Sequence, residues 1–357
     1  MRGKRRDQRS LLLLGSVEER IRAGHPIRRI KALADRALVG LSGVFEGMYA
    51  HGGRPSVPPE RLLKAQLLIA LFSVRSDRQF CEQLEYNLLF RWFLDMQLDE
   101  ESFDASTFSR NRERLIRHEV AERFLAAIVE EAKGERLLSS EHFSVDGTLI
   151  ESWASLKSFR PKDEPPGGDS NGWSDFQGTK RSNDTHESKT DPEAKLYRKG
   201  NGHEARLSYS GHVLMENRNG LLIDLVVAPA DGFAERREAL GLLAKISGAR
   251  RTTVAADKGY DTRDFVAACR QLKVTPHVAQ NAHRHRRSAI DQRTVRQRGY
   301  RASQVVRRRI ETIFGWLKTC GGLRRTRVRG VARTQLAGRL AAAAYNLLRM
   351  SRLLAPV

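Results

Sequence analysis

The sequence predicts an α/β protein, a mixed β-sheet with helices on both faces, preceded by an all-α region. Three observations carry that expectation. Apolar residues recur every three to four positions from Pro26 to about His118. At Glu141 the pattern gives way to the β-branched run HFSVDGTLI. The strand candidates that follow come first as a hairpin series and then alternate with helices.

Residues 1–25 read as a flexible basic arm. The opening MRGKRRDQRSLLLLGSVEER imitates an export signal, but its apolar core ends by Val17 and no small-residue cleavage site follows, which argues against export. Residues 26–135 form the helical domain. Pro58 and Pro59 open a helix through ERLLKAQLLIALFSV, and Ser76 followed by Gln79 reads as a capping box at the head of SDRQFCEQLEYNLLFRWFL. Asp104 or Ser106 then caps a short basic helix carrying Arg110, Arg112 and Arg114, and another helix runs from about Val120 to Lys133. Successive short helices ending in a basic one suit a helix-turn-helix-like DNA-binding module. A packing domain with a solvated charged face has the same pattern.

Residues 136–335 form the α/β domain, interrupted by a long stretch, 151–206, rich in Gly, Pro, Ser, Asp and Lys and read as an irregular loop. RLSYSGHVLMEN and LLIDLVVAPA are strands joined through Arg218-Asn219-Gly220, a hairpin signal. Next come a helix (about Ala234 to Ser247), the strand TTVAAD, a helix (Thr262 to Leu272), the strand VTPHVA, and a long helix from about Ala302 to Thr319. Residues 336–357 form a last apolar helix that packs on this domain. Three strands with hairpin links followed by strand–helix crossovers is the order of a ribonuclease-H-like domain.

Charge narrows the function. Lys and Arg number 63 against 42 acids, for a net +21. The segment from Asn281 to Val357 holds 19 of the bases and 2 of the acids, so most of the positive field sits in one terminal segment, as in a chain that neutralises a polyanion. Nucleic acid is the leading partner. Cys81, Cys269 and Cys320 include no CxxC pair, which excludes a disulfide framework and a thiolate zinc site and points to a reducing cytoplasm. The longest apolar run, Leu336 to Met350, is broken by Arg339 and Arg349 and falls short of the roughly 20 residues of a membrane span.

Cleaving a phosphodiester calls for carboxylates that gather divalent metal, because two Mg²⁺ about 3.5–4 Å apart can activate the attacking oxygen and stabilise the leaving one. Asp146 sits mid-strand among apolar neighbours, where a charge is costly unless paired or metal-bound. Asp257 ends a probable parallel strand, at the edge where open α/β sheets bind ligands. Glu311 is an isolated acid in an arginine-rich helix, a metal ligand or simply a partner for those arginines. At about 100° per residue, Arg307, Glu311 and Lys318 share one helix face, while Ile310, Ile313, Phe314 and Leu317 share another. Asp224, Asp231 and Asp261 are rivals; the first lies mid-strand, the second begins a turn and the third suits a helix cap.

FSVDGTLIESWASLKSFRPKD, VAADKGYD and RRRIETIFGWLK resemble the catalytic blocks of bacterial insertion-sequence transposases of the DDE type, especially family five. PPERLLKAQLLIALFSVRSDRQFCEQLEYNLLFRWFL resembles that family's N-terminal domain, and the similarity runs from about Pro26 to Leu354. The resemblance implies a ribonuclease-H-like catalytic domain with two Mg²⁺, for which Mn²⁺ substitutes, held by Asp146, Asp257 and Glu311. It also implies double-stranded DNA as partner (inverted repeats and target), a homodimer on that DNA, and a place at the bacterial nucleoid. In the superfamily signature Y-x2-R-x3-E-x6-K, Arg307, Glu311 and Lys318 match but Gln304 stands at the tyrosine position, with Tyr300 four residues earlier. Only 53 residues separate Asp257 from Glu311, too few for the large β insertion of some relatives.

With that motif, Arg307 and Lys318 are expected on phosphates near the cut. Lys258 and Tyr260 either touch the cleaved strand or shape the turn. Arg324, Arg325, Arg327 and Arg329 suit backbone contact without base reading, and Arg110 and Arg112 suit DNA contact from the helical domain. His283 and His285 belong with the basic loop more readily than with a metal. Trp153 and Trp173 either stack on unpaired bases or pack on the domain. Three functions share these features: a transposase that cleaves and transfers strands, a catalytically silent DNA-binding relative, and a nuclease of the same fold. Three acids at the right blocks favour an enzyme.

Overall fold

The computed structural model describes residues 17–49, 52, 56–163, 181–198, 200, 202, 204–246, 252–282 and 287–355. His283, His285, Trp173 and most of the basic arm lie outside them. The chain opens with eight helices: α1 (Val17–Arg20), α2 (Pro26–Val39), α3 (Ser42–Met48), α4 (Pro59–Leu71), α5 (Asp77–Tyr86), α6 (Leu88–Phe93), α7 (Ser106–Arg117) and α8 (Val120–Gly134). Pro26 and Pro59 each stand in a first turn, where the missing N–H costs nothing. Ser76 Oγ accepts from the Gln79 N–H at 3.1 Å, but the Gln79 side chain answers to the Arg75 N–H at 3.0 Å rather than to Ser76. The helix expected through SDRQFCEQLEYNLLFRWFL is two helices, because Asn87 is extended and its side chain caps Phe90 N at 3.2 Å. Asp104 Oδ1 accepts from the Ser106 N–H at 2.7 Å, at the head of α7.

The sheet contains β1 (His142–Glu151), β4 (Lys195–Tyr197), β5 (Arg206–Glu216), β6 (Leu222–Pro229), β7 (Thr253–Ala256) and β8 (Thr275–Val278); β2 (Phe159–Pro161) and β3 (His186–Ser188) form a separate pair. β5 is antiparallel to β1 and to β6, whereas β7 and β8 run parallel to β1. The order β6-β5-β1-β7-β8, with β1 central and three antiparallel strands followed by two parallel ones, is the ribonuclease-H-like arrangement. The stretch 151–206 is not wholly irregular: it contributes β2, β3 and β4, three-residue strands too short to leave a period in the sequence. Asp191, buried, ties it to the sheet by accepting from Ser152 Oγ (2.8 Å) and Tyr209 OH (2.5 Å).

α9 (Ala234–Ala244) and α10 (Arg263–Gln271) cover one face of the sheet, where Phe143, Val145, Leu242, Leu243 and Phe265 share a core. A short α11 (Gln292–Arg296) leads to α12 (Arg298–Val306) and α13 (Arg309–Thr319), and the chain closes with α14 (Val331–Leu353). The single helix expected from Ala302 to Thr319 therefore starts earlier and is interrupted at Arg307–Arg308, where Ile310 and Glu311 take i→i−3 bonds instead of i→i−4. α14 packs on β6 and equally on α2, α4 and α8, so its leucines and alanines join the helical region and the second sheet face in one core. No helix among the described residues is long and apolar enough to cross a membrane.

Candidate active site

Asp146 and Asp257 meet because of strand register. β1 and β7 pair in parallel, His142 with Thr253 and Ser144 with Ala255, and the same offset sets Asp257, just past β7, level with Asp146. Beyond that point β1 continues to Glu151 against β5, so the sheet opens on the β7 side beside Asp146. Such an opening at the carboxyl end of a parallel strand is where α/β sheets take ligands. Asp257 Oδ1 accepts from the Gly259 N–H at 2.7 Å and so caps a turn of 3₁₀-helix, Lys258–Tyr260. Asp146 Oδ1 accepts from the Gly147 N–H at 2.8 Å.

Burial is the main cause of the Asp146 carboxyl being pushed up to about 7. The Gly147 N–H opposes that shift, the negative charges of Asp257 and Glu235 add to it, and Arg307 counters them. Arg307, at the break between α12 and α13, thus lies near enough for its charge to act on Asp146, and its Nε is buried with no hydrogen-bond partner. Glu311 is exposed in the first turn of α13, which lies against β1. Among the described residues, no three His, Cys, Asp or Glu side chains are close enough to share one metal ion. The fold therefore joins Asp146 with Asp257 and leaves Glu311 outside coordinating reach of the pair.

The cations are distributed unevenly around this centre. Lys258 is exposed one residue from Asp257. Tyr260, expected at the DNA surface, is 1% exposed, so it belongs to the interior of the site instead. Arg324 is exposed. The Arg325 guanidinium donates to the carbonyls of Ser152 (3.2 Å) and Trp153 (2.9 Å) and lies 5.6 Å from the Trp153 ring centre. Trp153 is itself 51% exposed, which leaves part of its ring to solvent. Arg327 reaches back to the Val74 carbonyl at 2.8 Å, and Arg112 pairs with Asp77 at 2.9 Å, so both fasten the helical region; Arg110 is exposed. Lys318 stands two turns along α13 from Glu311. Neither candidate for the missing signature tyrosine is available: Tyr300 is buried and donates to the Val278 carbonyl at 2.9 Å, and Gln304 donates to the His277 carbonyl at 2.5 Å.

The rival acids have structural work. Asp224 is buried between Lys245 (2.6 Å) and Arg339 (3.2 Å). Asp231 accepts from the Phe233 and Ala234 N–H groups at 2.9 and 2.6 Å and heads α9. Asp261 is not the cap of α10, which is Thr262; it is buried and accepts from the Asn281 and Ala289 N–H groups at 2.7 and 2.8 Å.

Two groups at the site carry no sequence signal. Glu235, in the first turn of α9, reads as an ordinary helix-surface acid, and His212, mid-strand in β5, as a core histidine. Gly147 pairs with His212 across β1 and β5, and a Cβ on Gly147 would lie 3.0 Å from Glu235 Cγ and Oε1 and 3.1 Å from His212 Nδ1. Burial, and after it the Asp257 charge, raises the pKa of Glu235 above its ordinary value. Burial holds His212 down to about 4, with Arg237 adding to the effect, so its ring is neutral. Both His212 ring nitrogens and the Tyr260 hydroxyl are buried without a hydrogen-bond partner, and such groups cost about 1–3 kcal/mol each when unsatisfied. The donors gathered here are carboxylate oxygens without thiolate, a set that fits a hard divalent cation such as Mg²⁺ or Mn²⁺.

An opening in a ribonuclease-H-like sheet with paired aspartates at its edge defines a class of metal-dependent enzymes acting on phosphodiesters. Residues 15–114 match the family described as Transposase domain (DUF772), and residues 172–347 match the Transposase DDE domain, which includes Asp257 and Glu311 but begins after Asp146. The chain belongs to the DDE transposases of insertion sequences, enzymes that cleave DNA and transfer strands with divalent metal. No curated protein matches the sequence. Among solved structures, the piggyBac transposase synaptic complex with hairpin DNA is similar at 9% identity and a TM-score of 0.41, over 92% of this chain and 75% of that one. A Mos1 transposase paired-end complex with the left transposon end is similar at 11% identity and a TM-score of 0.19, over 64% of this chain and 61% of that one. A Mos1 mariner paired-end complex with Mn gives 12% identity and a TM-score of 0.20, over 81% and 86%.

Proposed function

We propose that the chain is the transposase of an insertion sequence near family five, that it acts as a homodimer on the inverted-repeat ends of its element, and that Asp146, Asp257 and Glu311 are its catalytic carboxylates. The observation that carries the site is the register that sets Asp257 level with Asp146 beside an opening of the sheet. Two Mg²⁺ held there would activate the oxygen that attacks and stabilise the one that leaves. Asp146 and Asp257 hold their oxygens fixed through the Gly147 and Gly259 N–H groups, so the donors are oriented before DNA arrives. Completing the set requires α13 to carry Glu311 towards the pair when DNA binds, and Arg307, whose charge already acts on Asp146, neutralises the phosphate being cut. The exposed Lys258 and Arg324 grip the backbone on either side.

Asp146→Asn tests the reading on DNA carrying one element end. Cleavage should fall by at least about 100-fold, while binding of the same DNA in a gel-shift assay stays equal or tightens. Cutting at the wild-type rate would remove Asp146 from the site.

A further inference from the structure

We infer that Trp153, braced by Arg325, is a platform on which an unpaired base of the bound DNA stacks. The inference rests on the proposal that DNA is cut in the opening beside Asp146, and it adds a contact to the base itself, which neither the carboxylates nor the phosphate-binding cations supply.

The ring stands at the far end of that opening. On the edge of β1 opposite β5, β7 pairs from His142 to Ser144, and the segment Arg324–Thr326 takes up the edge again at Glu151. There the Glu151 N–H donates to the Arg324 carbonyl at 3.1 Å, and the Thr326 N–H donates to the Glu151 carbonyl at 2.8 Å. Trp153 follows two residues later. At about 3.3 Å per residue, roughly 17 Å of strand separates Asp146 from Glu151. A DNA strand cut at Asp146 and lying along β1 therefore comes to the ring after about five nucleotides. The backbone on either side of the ring is fixed. Ser152 and Ala154 are buried, the Ser152 N–H donates to the Leu207 carbonyl at 2.8 Å, and the Ser152 hydroxyl donates to Asp191 at 2.8 Å and accepts from the Ala154 N–H at 3.1 Å. Arg325 adds its bonds to the Ser152 and Trp153 carbonyls, and its guanidinium lies over the ring. Only the side chain of Trp153 is left half in solvent. An aromatic group held in place beforehand gives up little conformational entropy when a ligand stacks on it.

Single exposed apolar side chains are ordinary, and the plain alternative is that the ring only covers Arg325. Two observations favour a ligand. Arg325 is already placed by two carbonyls and by its own backbone bridge to Glu151, so the ring is not needed to hold it. The surface around the ring is also of mixed character: Leu156 is exposed three residues on, Lys157, Arg324 and Arg325 are exposed in the same two segments, and the carboxylate of Glu151 is paired with Arg206. Aromatic surface beside cations complements a nucleotide, which offers a π face and a phosphate together. A second protein fits less well, because lysine is depleted at the core of protein interfaces. Paired bases hide their faces within the duplex, so the occupant is a base outside it, flipped from the stack or on a frayed end.

The test measures DNA binding by fluorescence anisotropy with the full-length protein in chelator, so that nothing is cut. Two probes share one duplex sequence; one is blunt and the other carries a short single-stranded thymidine tail. Wild type should bind the tailed probe more tightly. Trp153→Ala should weaken the tailed complex by about 10-fold and leave the blunt complex unchanged, and Trp153→Phe, which keeps a smaller ring, should fall between Trp153→Ala and wild type. With 5-iodouracil in the tail, irradiation of the wild-type complex should crosslink the peptide that contains Trp153, as read by mass spectrometry. Equal weakening of both probes by Trp153→Ala, or of neither, overturns the inference, because the ring then serves the loop or only the surface. Crosslinks confined to other peptides overturn it as well, and that readout needs no variant to fold. A Trp153→Ala chain that differs from wild type only in self-association, measured by sedimentation without DNA, would assign the ring to a second copy and remove the base. Because no strand is cut, the loss on the tailed probe is read independently of the Asp146→Asn cleavage test; if wild type binds neither probe, the DNA-binding reading fails and the platform fails with it.

Discussion

Asp146 on β1 and His212 on β5, the strand partner of the adjacent Gly147, titrate with opposite consequences. Asp146 ionises near 7 in the folded chain against an ordinary 3.8, so the unfolded chain gives up its proton first. Its ionisation costs the fold nothing below pH 4 and its full penalty above pH 7, on the order of a few kcal/mol. His212 ionises near 4 against an ordinary 6.5, so the unfolded chain takes a proton first and stability is lost as pH falls from 6.5 towards 4, again on the order of a few kcal/mol. Urea melts in chelator should therefore find Asp146→Asn more stable than wild type at pH 8, with the gain gone near pH 4. His212→Gln should flatten the acid side of the curve. Parallel stability curves for wild type and both variants across pH 4 to 8 would show that neither group is as buried as the fold has it.

The break between α12 and α13 is the element that turns a basic helix towards the site. α12 packs on β7 and β8, α13 packs on β1, and Arg307 lies at the join with its charge directed at Asp146. A straight helix over the same residues has no reason to change neighbours at that point. Arg307→Ala should weaken binding of end-containing DNA and lower the slope of log K against log salt by about one. An unchanged slope would mean that this arginine serves the acidic pair and never meets phosphate.

At the scale of the molecule, α14 joins what the sequence divides. The proposed division into a helical domain (26–135) and a catalytic domain (136–335) meets a single core, in which Leu336, Leu340, Leu347 and Met350 are buried among α2, α4, α8 and β6. At roughly 1.5–3 kcal/mol for each large apolar side chain, those four alone approach the net stability of a typical domain, about 5–15 kcal/mol. A chain ending at Gly330 should therefore lose its cooperative thermal transition in both halves. Retention of a native melt by residues 26–135 expressed alone would establish the helical region as an independent domain.

Hydropathy period, turn residues and charge were enough to read the strand order, most helices and the basic terminal segment, because each depends on neighbours a few positions apart. Asp146 and Asp257 were legible for the same reason, as charges placed where a strand ought to be buried or to end. Tertiary structure decided the rest. It buried Tyr260, gave Asp224 and Asp261 to structural partners, and withdrew Arg112 and Arg327 into packing contacts. It also brought Glu235 against Gly147 across 88 residues of chain. Nothing local in AERREALGLL distinguishes that glutamate from any other helix-surface acid; its environment is set by where α9 crosses the sheet, a distance-dependent fact with no period for a sequence to display.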